Sequence, residues 1–510
     1  MLKNILLVSC LLSVSTLTAD DKTINSDGTE FKAPRLAGDS LAIKPLNKDA
    51  DSSANSIEEM FKNAKVKGLL RYSGQYRDSN LHLTQDGTAK HSVNTKTQQY
   101  SAVGGYLGYE TAAFNNISLG ATFYTAHEAG NNPYERKGLG GLNESDGEIS
   151  SYAVLAEAYI KYKDNENDFR FGRREMPNYR FISLSNIRFS PFTHEGTTYE
   201  NKMIEDVQLT FGYITKQKDR NSEDFEGMVR SARAKVTSGG KQLIRGDYDS
   251  NDYIGGNGSY DGDSKEMGML GVSLKKDNFS AEIWDYHVED FVNTVYMYGD
   301  YNFKLNNDTT LTFAAQYANQ QDVGDSVAGN VDTWFYGLKA QIAFDKGITL
   351  FTAYNEVDYN ENSYDGGTIF VRWGTPQMFN SFQVQDSELA GIKSIGVGAQ
   401  FELGKMGILD NTVIRFRYAD YDLPDSLNDR DARLGRSEAT FDLRYSFTKN
   451  DGFGIFTEMD GLSIQFRIAY DNFDDISDYK LNQYLNTWGY SVDDVTKDFV
   501  DTRLYIDYMF

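Results

Sequence analysis

The 510-residue chain carries 51 Lys and Arg against 74 Asp and Glu, a formal net charge of −23, which excludes a partner such as nucleic acid or an anionic lipid surface. Its 34 Tyr and 31 Phe exclude a disordered chain, since such chains are poor in aromatics. The 7 Pro are few for this length and suit a chain that is mostly strand, because proline is kept out of hydrogen-bonded sheet interiors.

In chain order, Met1 to Asn4 give a short positive start, and Ile5 to Leu17 an apolar run diluted by Ser and Thr. Thr18, Ala19, Asp20 and Asp21 follow. This predicts a secretory signal over residues 1–19, cleaved after Ala19; the run is shorter than the roughly 20 residues of a spanning helix. Leu7 to Cys10 resembles a lipid-attachment box, but Ile5 to Val8 is too short an apolar core to precede one. Cys10 is the one cysteine and falls in the signal, so the processed chain is expected to hold no disulfide and no thiolate metal site. Residues 20–65 read as a polar lead-in with one short helix near Ser56 to Lys65, where Ser56 and Glu59 form a capping box.

From Val66 onward the pattern has a period of two, and residues 66–510 are predicted to form one unit. Val66, Gly68, Leu70, Tyr72, Gly74 and Tyr76 alternate with a set that includes Lys67, Arg71, Ser73 and Gln75. Similar runs surround Leu119, Leu209, Phe313, Leu338 and Phe466. Each matches the 9–11 residues of a tilted membrane strand, and alternation puts the two sets on opposite faces. One face is apolar, and the other holds Lys and Arg, which a water-filled lumen tolerates and a packed core does not. Tyr76, Tyr109, Tyr213, Tyr317 and Tyr470 recur near strand ends, as in an interfacial girdle. No stretch after the signal is long and apolar enough for a membrane helix, so a spanning chain must close its hydrogen bonds in a barrel. The expected fold is an all-β transmembrane antiparallel barrel of about 18 strands, wide enough for an aqueous channel. The segment Phe279 to Val288 does not alternate cleanly. Short turns, such as Asn306 to Asp308 and Asp345 to Gly347, contrast with long loops at Glu128–Ser150, Glu175–Gly196, Asn251–Glu266 and Asp422–Arg436. These are the periplasmic and external connections of such a barrel.

The inward face carries arginines: Arg71 in the first strand, then Arg415, Arg417, Arg444, Arg467 and Arg503 in the last four. A guanidinium stays charged and presents a planar fork, so a track of them suits passing carboxylates; the alternative is that they pair with inward acids such as Asp442, Asp471 and Asp507. Long loops usually carry function. Glu175–Gly196, with Arg180, Arg188 and His194 amid Phe181, Ile182, Leu184 and Phe189, is therefore the expected constriction. The five histidines are scattered, and no HExxH, GxSxG or phosphate-binding glycine loop occurs, which leaves an enzyme or a metal or organic cofactor without a motif. Asp247 to Asp252 resembles a calcium loop but lacks its turn glycine.

The chain ends Tyr508-Met509-Phe510, which resembles the assembly signal of bacterial outer-membrane barrels. Four stretches resemble the OprD family of outer-membrane porins: Ile57 to Gly68; Gly108-Tyr109-Glu110-Thr111; Gly172-Arg173-Arg174-Glu175-Met176-Pro177; and Gly212-Tyr213-Ile214 with Lys216 and Lys218. Gly172-Arg173-Arg174 stands where that family has Gly-Arg-Gln, with a shorter spacer before Pro177. The resemblance implies passive entry of small, often carboxylate-bearing solutes guided by a basic ladder. It also implies an outer-membrane location, contact with lipid and lipopolysaccharide, insertion by barrel-assembly machinery, and a monomer or a homotrimer. A surface adhesin and a barrel-borne hydrolase are the alternative functions.

Overall fold

The structure is a computed structural model. It describes residues 52–85, 91–130, 142–145, 148–177, 179–182, 188–220, 222–229, 231, 265–326, 329–360, 362–371, 373–374, 378–384, 387–423, 435–448, 459–473 and 499–510. The expected signal with Cys10 and Ala19, most of the lead-in, and Asp247 to Asp252 lie outside these.

A single-turn helix, α1 (Ile57–Lys62), opens the described chain. Ser56 Oγ accepts the Glu59 N–H at 3.1 Å, the forward arm of the expected capping box, while Glu59 Oε2 accepts the N–H of Asn55, one residue before the cap, at 2.8 Å. Met60 buries itself against Ala54 and Ala112 at the turn end of the barrel.

Eighteen long strands follow. They are β1 (Lys65–Gln85), β2 (His91–Glu110), β3 (Ile117–Glu128), β4 (Tyr152–Lys163), β5 (Asn167–Arg174) and β6 (Thr193–Asn201). Next come β7 (Val207–Lys218), β8 (Met267–Lys276), β9 (Phe279–Val288), β10 (Val292–Asn306), β11 (Thr309–Asp322) and β12 (Asp332–Phe344). The last six are β13 (Ile348–Val357), β14 (Lys393–Glu402), β15 (Thr412–Asp422), β16 (Arg436–Ser446), β17 (Leu462–Phe473) and β18 (Phe499–Met509). Each pairs antiparallel with the next, and β1 pairs antiparallel with β18 from Leu69↔Met509 to Arg77↔Asp501. The sheet closes on itself and leaves no edge. Phe510 seals the seam: its carbonyl accepts the Gly68 N–H at 2.8 Å and its N–H donates to Gly68 O at 3.1 Å. A Cβ on Gly68 would strike the Phe510 ring, so the missing side chain there makes room for the terminal aromatic. The Tyr508 and Phe510 rings stack at 6.0 Å on the outer surface.

Both ends of the described chain, near Ser52 and at Phe510, lie at one rim, where turns such as 164–166, 277–278 and 345–347 are short. At the opposite rim long stretches separate the strand ends, as between Arg174 and Thr193, Lys218 and Met267, Val357 and Lys393, and Phe473 and Phe499, whereas Gln85 and His91, and Val288 and Val292, are only a few residues apart. The outer face follows the predicted alternation: Leu70, Leu107, Phe171, Tyr213, Leu338 and Ile395 are exposed. All five girdle tyrosines are exposed as well. The buried apolar clusters are inside the barrel, where loops from the long-loop rim fold back onto the wall.

Two boundaries differ from the sequence reading. The family-like stretch Gly172-Arg173-Arg174, which the sequence suggests as lying after the fifth strand, instead forms the end of that strand. His194 to Gly196 lie in β6 and not in the preceding loop, because Thr193 to Asn201 find ladder partners on both β5 and β7. The irregular β9 is also explained. At its loop end Trp284, Tyr286 and Val288 point inward to apolar loops, while Asp285 and His287 point outward. The local polarity is reversed, so the alternation is masked.

Candidate functional site in the lumen

The wall formed by β15 to β18 and β1 is built from arginines in cross-strand register. At one level the partners run Arg415, Asp442, Arg467, Arg503, Gln75 and Tyr100, from β15 round to β2. One step toward the turn rim lie Arg444, Gln465, Tyr505 and Ser73. Alternation aims these side chains into the lumen because their neighbours Phe416, Phe466, Leu504 and Leu70 face outward.

Acids are threaded through this wall. Arg71 forks onto Asp507 with both bonds at 2.7 Å, and its Nη1 donates to Arg188 O at 2.8 Å. Arg503 Nε donates to Asp501 at 2.6 Å and Nη2 to Gln383 O at 3.0 Å. Arg415 and Arg467 share Asp442, at 3.4 Å and 3.1 Å. Arg417 donates to Thr440 Oγ1 at 3.2 Å and lies 4.5 Å from the Phe382 ring centre. Arg444 is half-buried, with Asp507, Asp442 and Arg71 as electrostatic neighbours. The six arginines singled out from sequence therefore share one wall, and the inward acids accompany them.

The loop between β5 and β6, L3 (175–192), enters the lumen. Tyr179, Phe181, Ile182 and Phe189 are buried. Phe181 packs at 5.7 Å from both Tyr286 and Tyr296, and the Tyr286 hydroxyl donates to Tyr179 O. Arg180 forks onto Glu282 at 2.7 and 2.6 Å and covers the Tyr298 ring at 4.0 Å; Glu282 raises its pKa in spite of burial. Arg188 points the other way, toward the arginine wall. Withdrawal from water, then the charges of Arg220 and Arg503, push its pKa down to about 10. His194 sits behind the loop in β6, with Nε2 3.2 Å from Trp373 O.

The second inward loop, L7 (358–392), was not singled out from the sequence. Ile369, Phe370, Trp373, Phe379 and Phe382 are buried, a run of apolar residues between charged flanks that the criterion used for L3 would have found. Trp373 Nε1 donates to Met228 O at 3.0 Å. At the far side, the Gln383 and Val384 N–H groups donate to Glu438 at 2.8 and 3.1 Å, and Gln383 Nε2 donates to Asp501 at 2.7 Å. L7 thus reaches from the aromatic wall to the arginine wall. Among the described residues no group of three or more His, Cys, Asp or Glu could hold a metal ion.

Comparison with known proteins places this architecture. A family model described as outer membrane porin, OprD family, matches residues 129–452. Porin D of Pseudomonas aeruginosa is 22% identical over 286 residues, which are 54% of this chain and 57% of that protein; the matched part is thus little more than half the length of that relative. Crystal structures of Acinetobacter baumannii OccAB3 and Pseudomonas aeruginosa OccK9 superpose with TM-scores of 0.64 and 0.63 at 16% identity, over 88% of this chain and 99% of each of theirs. Pseudomonas aeruginosa OpdK, solved with vanillate, gives 0.63 at 15% identity over the same shares. At these identities the structures speak for the fold: the same closed barrel. By its family match over most of its length, the chain belongs to the OprD family of outer membrane porins.

Proposed function

We propose that the protein is a passive channel for small solutes and that its arginine wall favours those bearing a carboxylate. The observation that carries this reading is the single lumen level holding Arg415, Arg467 and Arg503, with Arg188 of L3 beside it. The net negative charge of the chain does not oppose it. Acids on the outer loops face bulk water and are screened within about 8 Å at physiological salt. Lumen guanidiniums act at close range on a solute passing between wall and loop, where lining charges set selectivity. The family and its solved members are porins and not enzymes, and OpdK was solved with vanillate, itself a carboxylate.

Replacing Arg444 and Arg467 together with Gln keeps size and removes charge. In reconstituted vesicles the double variant should pass carboxylates on the order of tenfold more slowly, the scale of one lost charge-assisted hydrogen bond, and its ion selectivity should move toward cations. Unchanged carboxylate flux and selectivity would show the arginines to be only salt-bridge partners in the wall.

A further inference from the structure

The helix α1 is tied to the outside of the barrel. The Ala112 and Ala113 N–H groups donate to Met60 O at 3.0 Å and to Ser52 O at 2.8 Å, and Ser53 and Ala54 pair parallel with Ala113 and Phe114. Met60 is buried in this joint, and Phe114 and Leu119 pack against it. Leu119 shares its face of β3 with exposed Ile117 and Phe123, the face turned to lipid. The Tyr109 hydroxyl, on the outer face of β2 with Leu107, donates to Phe61 O at 3.1 Å. The helix therefore lies on the lipid side of the wall at the turn rim, not across the mouth of the lumen.

Its own sides are unequal. At 3.6 residues per turn, Ile57, Met60 and Phe61 fall on one side and Glu58, Glu59 and Lys62 on the other. Met60 is covered by the barrel, but Ile57 and Phe61 leave 64% and 50% of their surface open. They continue the outer apolar band: Tyr109, bonded to Phe61, is exposed, and so is its register partner Val66. The exposed Lys62 has a stem long enough to hold its ammonium among head-group phosphates. A helix with one apolar side lies at the boundary between acyl chains and head groups when it meets a bilayer.

We propose that α1 is a membrane-surface anchor. Ile57 and Phe61 enter the phospholipid of the leaflet at the turn rim, the periplasmic one in such barrels, and fix there the point at which the chain enters the barrel. The occupant is lipid because this side of the helix is continuous with the lipid-facing wall and meets it at a girdle tyrosine, Tyr109.

The test uses single cysteines in the full chain with its own Cys10 replaced by C10S: I57C, F61C, E58C and, on the outer face of β2, L107C. Each is labelled with a nitrobenzoxadiazole dye, and the protein is reconstituted in vesicles of phosphatidylethanolamine and phosphatidylglycerol. Heat-modifiable gel migration reports folding. Doxyl-labelled lipid should quench the dye at I57C and F61C severalfold more than at E58C, and nearly as much as at L107C. Iodide, supplied on both sides of the bilayer, should give the reverse order. Iodide quenching at I57C and F61C equal to that at E58C would put them in water and overturn the anchor. Protection of both from lipid and iodide quenchers alike would mean that protein covers them, the lead-in or a second copy, and would overturn it equally.

Discussion

Two arcs of the same barrel make a controlled comparison. From β8 to β13 the lumen wall carries Met269, Trp284, Tyr286, Tyr296, Phe335 and Phe351 as buried apolar residues, between buried neutral polar groups such as Gln320, Thr333 and Asn355. From β15 round to β1 it carries Arg415, Arg467, Arg503 and Arg71 with their acids. The outer faces of both arcs are alike, exposing Leu270, Phe313 and Leu338 on one and Phe416, Ile506 and Leu70 on the other. Lipid therefore dictates the outside uniformly, whereas the inside depends on what covers it. The aromatic arc is where L3 and L7 pack their apolar side chains, and hydrogen bonds such as Tyr286 to Tyr179 O and Phe370 N–H to Gln320 join them there as well. On the arginine arc they are held by hydrogen bonds to charged groups. The comparison teaches that the same two loops meet an aromatic surface on one arc and charged groups on the other.

Deleting most of L3 should give the largest effect, a clear rise in single-channel conductance, because the loop carries Tyr179, Phe181 and Ile182 into the lumen. Conductance equal to the parent would mean that the loop does not constrict. Trp373→Ala comes next. This side chain is fully buried, with its ring 6.0 Å from Phe291, and emptying such a site costs about 3–5 kcal/mol. The loss should fall on L7, seen as faster protease cleavage within 358–392 and noisier open-channel current. The anion-to-cation ratio should stay near the parent value, since the wall arginines are untouched. A selectivity change as large as that of the arginine variants would break the division between the arcs. Glu438→Gln should be smaller. It weakens the amide contacts of Gln383 and Val384 by about 1–2 kcal/mol and should raise L7 mobility modestly in the same protease assay. An effect exceeding that of Trp373→Ala would place the principal anchor on the arginine arc.

Much of the fold is legible in the sequence because a membrane barrel must repeat one rule. Outward positions face lipid at every second residue, so strands such as Leu462 to Phe473 can be read one by one. The arginine set is legible for the same reason: once Ile414, Phe416, Phe466 and Leu504 face out, Arg415, Arg417, Arg467 and Arg503 must face in. L3 is visible through its length and its apolar content. β9 is not, because its inward residues are as apolar as a lipid face. L7 carries the same signal of apolar content, but where it docks is not legible, because its partners, Met228, Gln320, Glu438 and Asp501, are scattered over about 270 residues of sequence.

By itself, then, the sequence determined the barrel, the face of most strand residues and the family to which the chain belongs. These follow from local alternation and from the rule that no backbone group stays unpaired in lipid. Only the tertiary structure decided which charges meet. Register sets Arg467 between Asp442 and Arg503, and loop docking sets Arg188 and Gln383 against that wall. Period-two alternation fixes the face of a residue but not its height relative to the neighbouring strand, and hydrogen bonding between strands supplies that height.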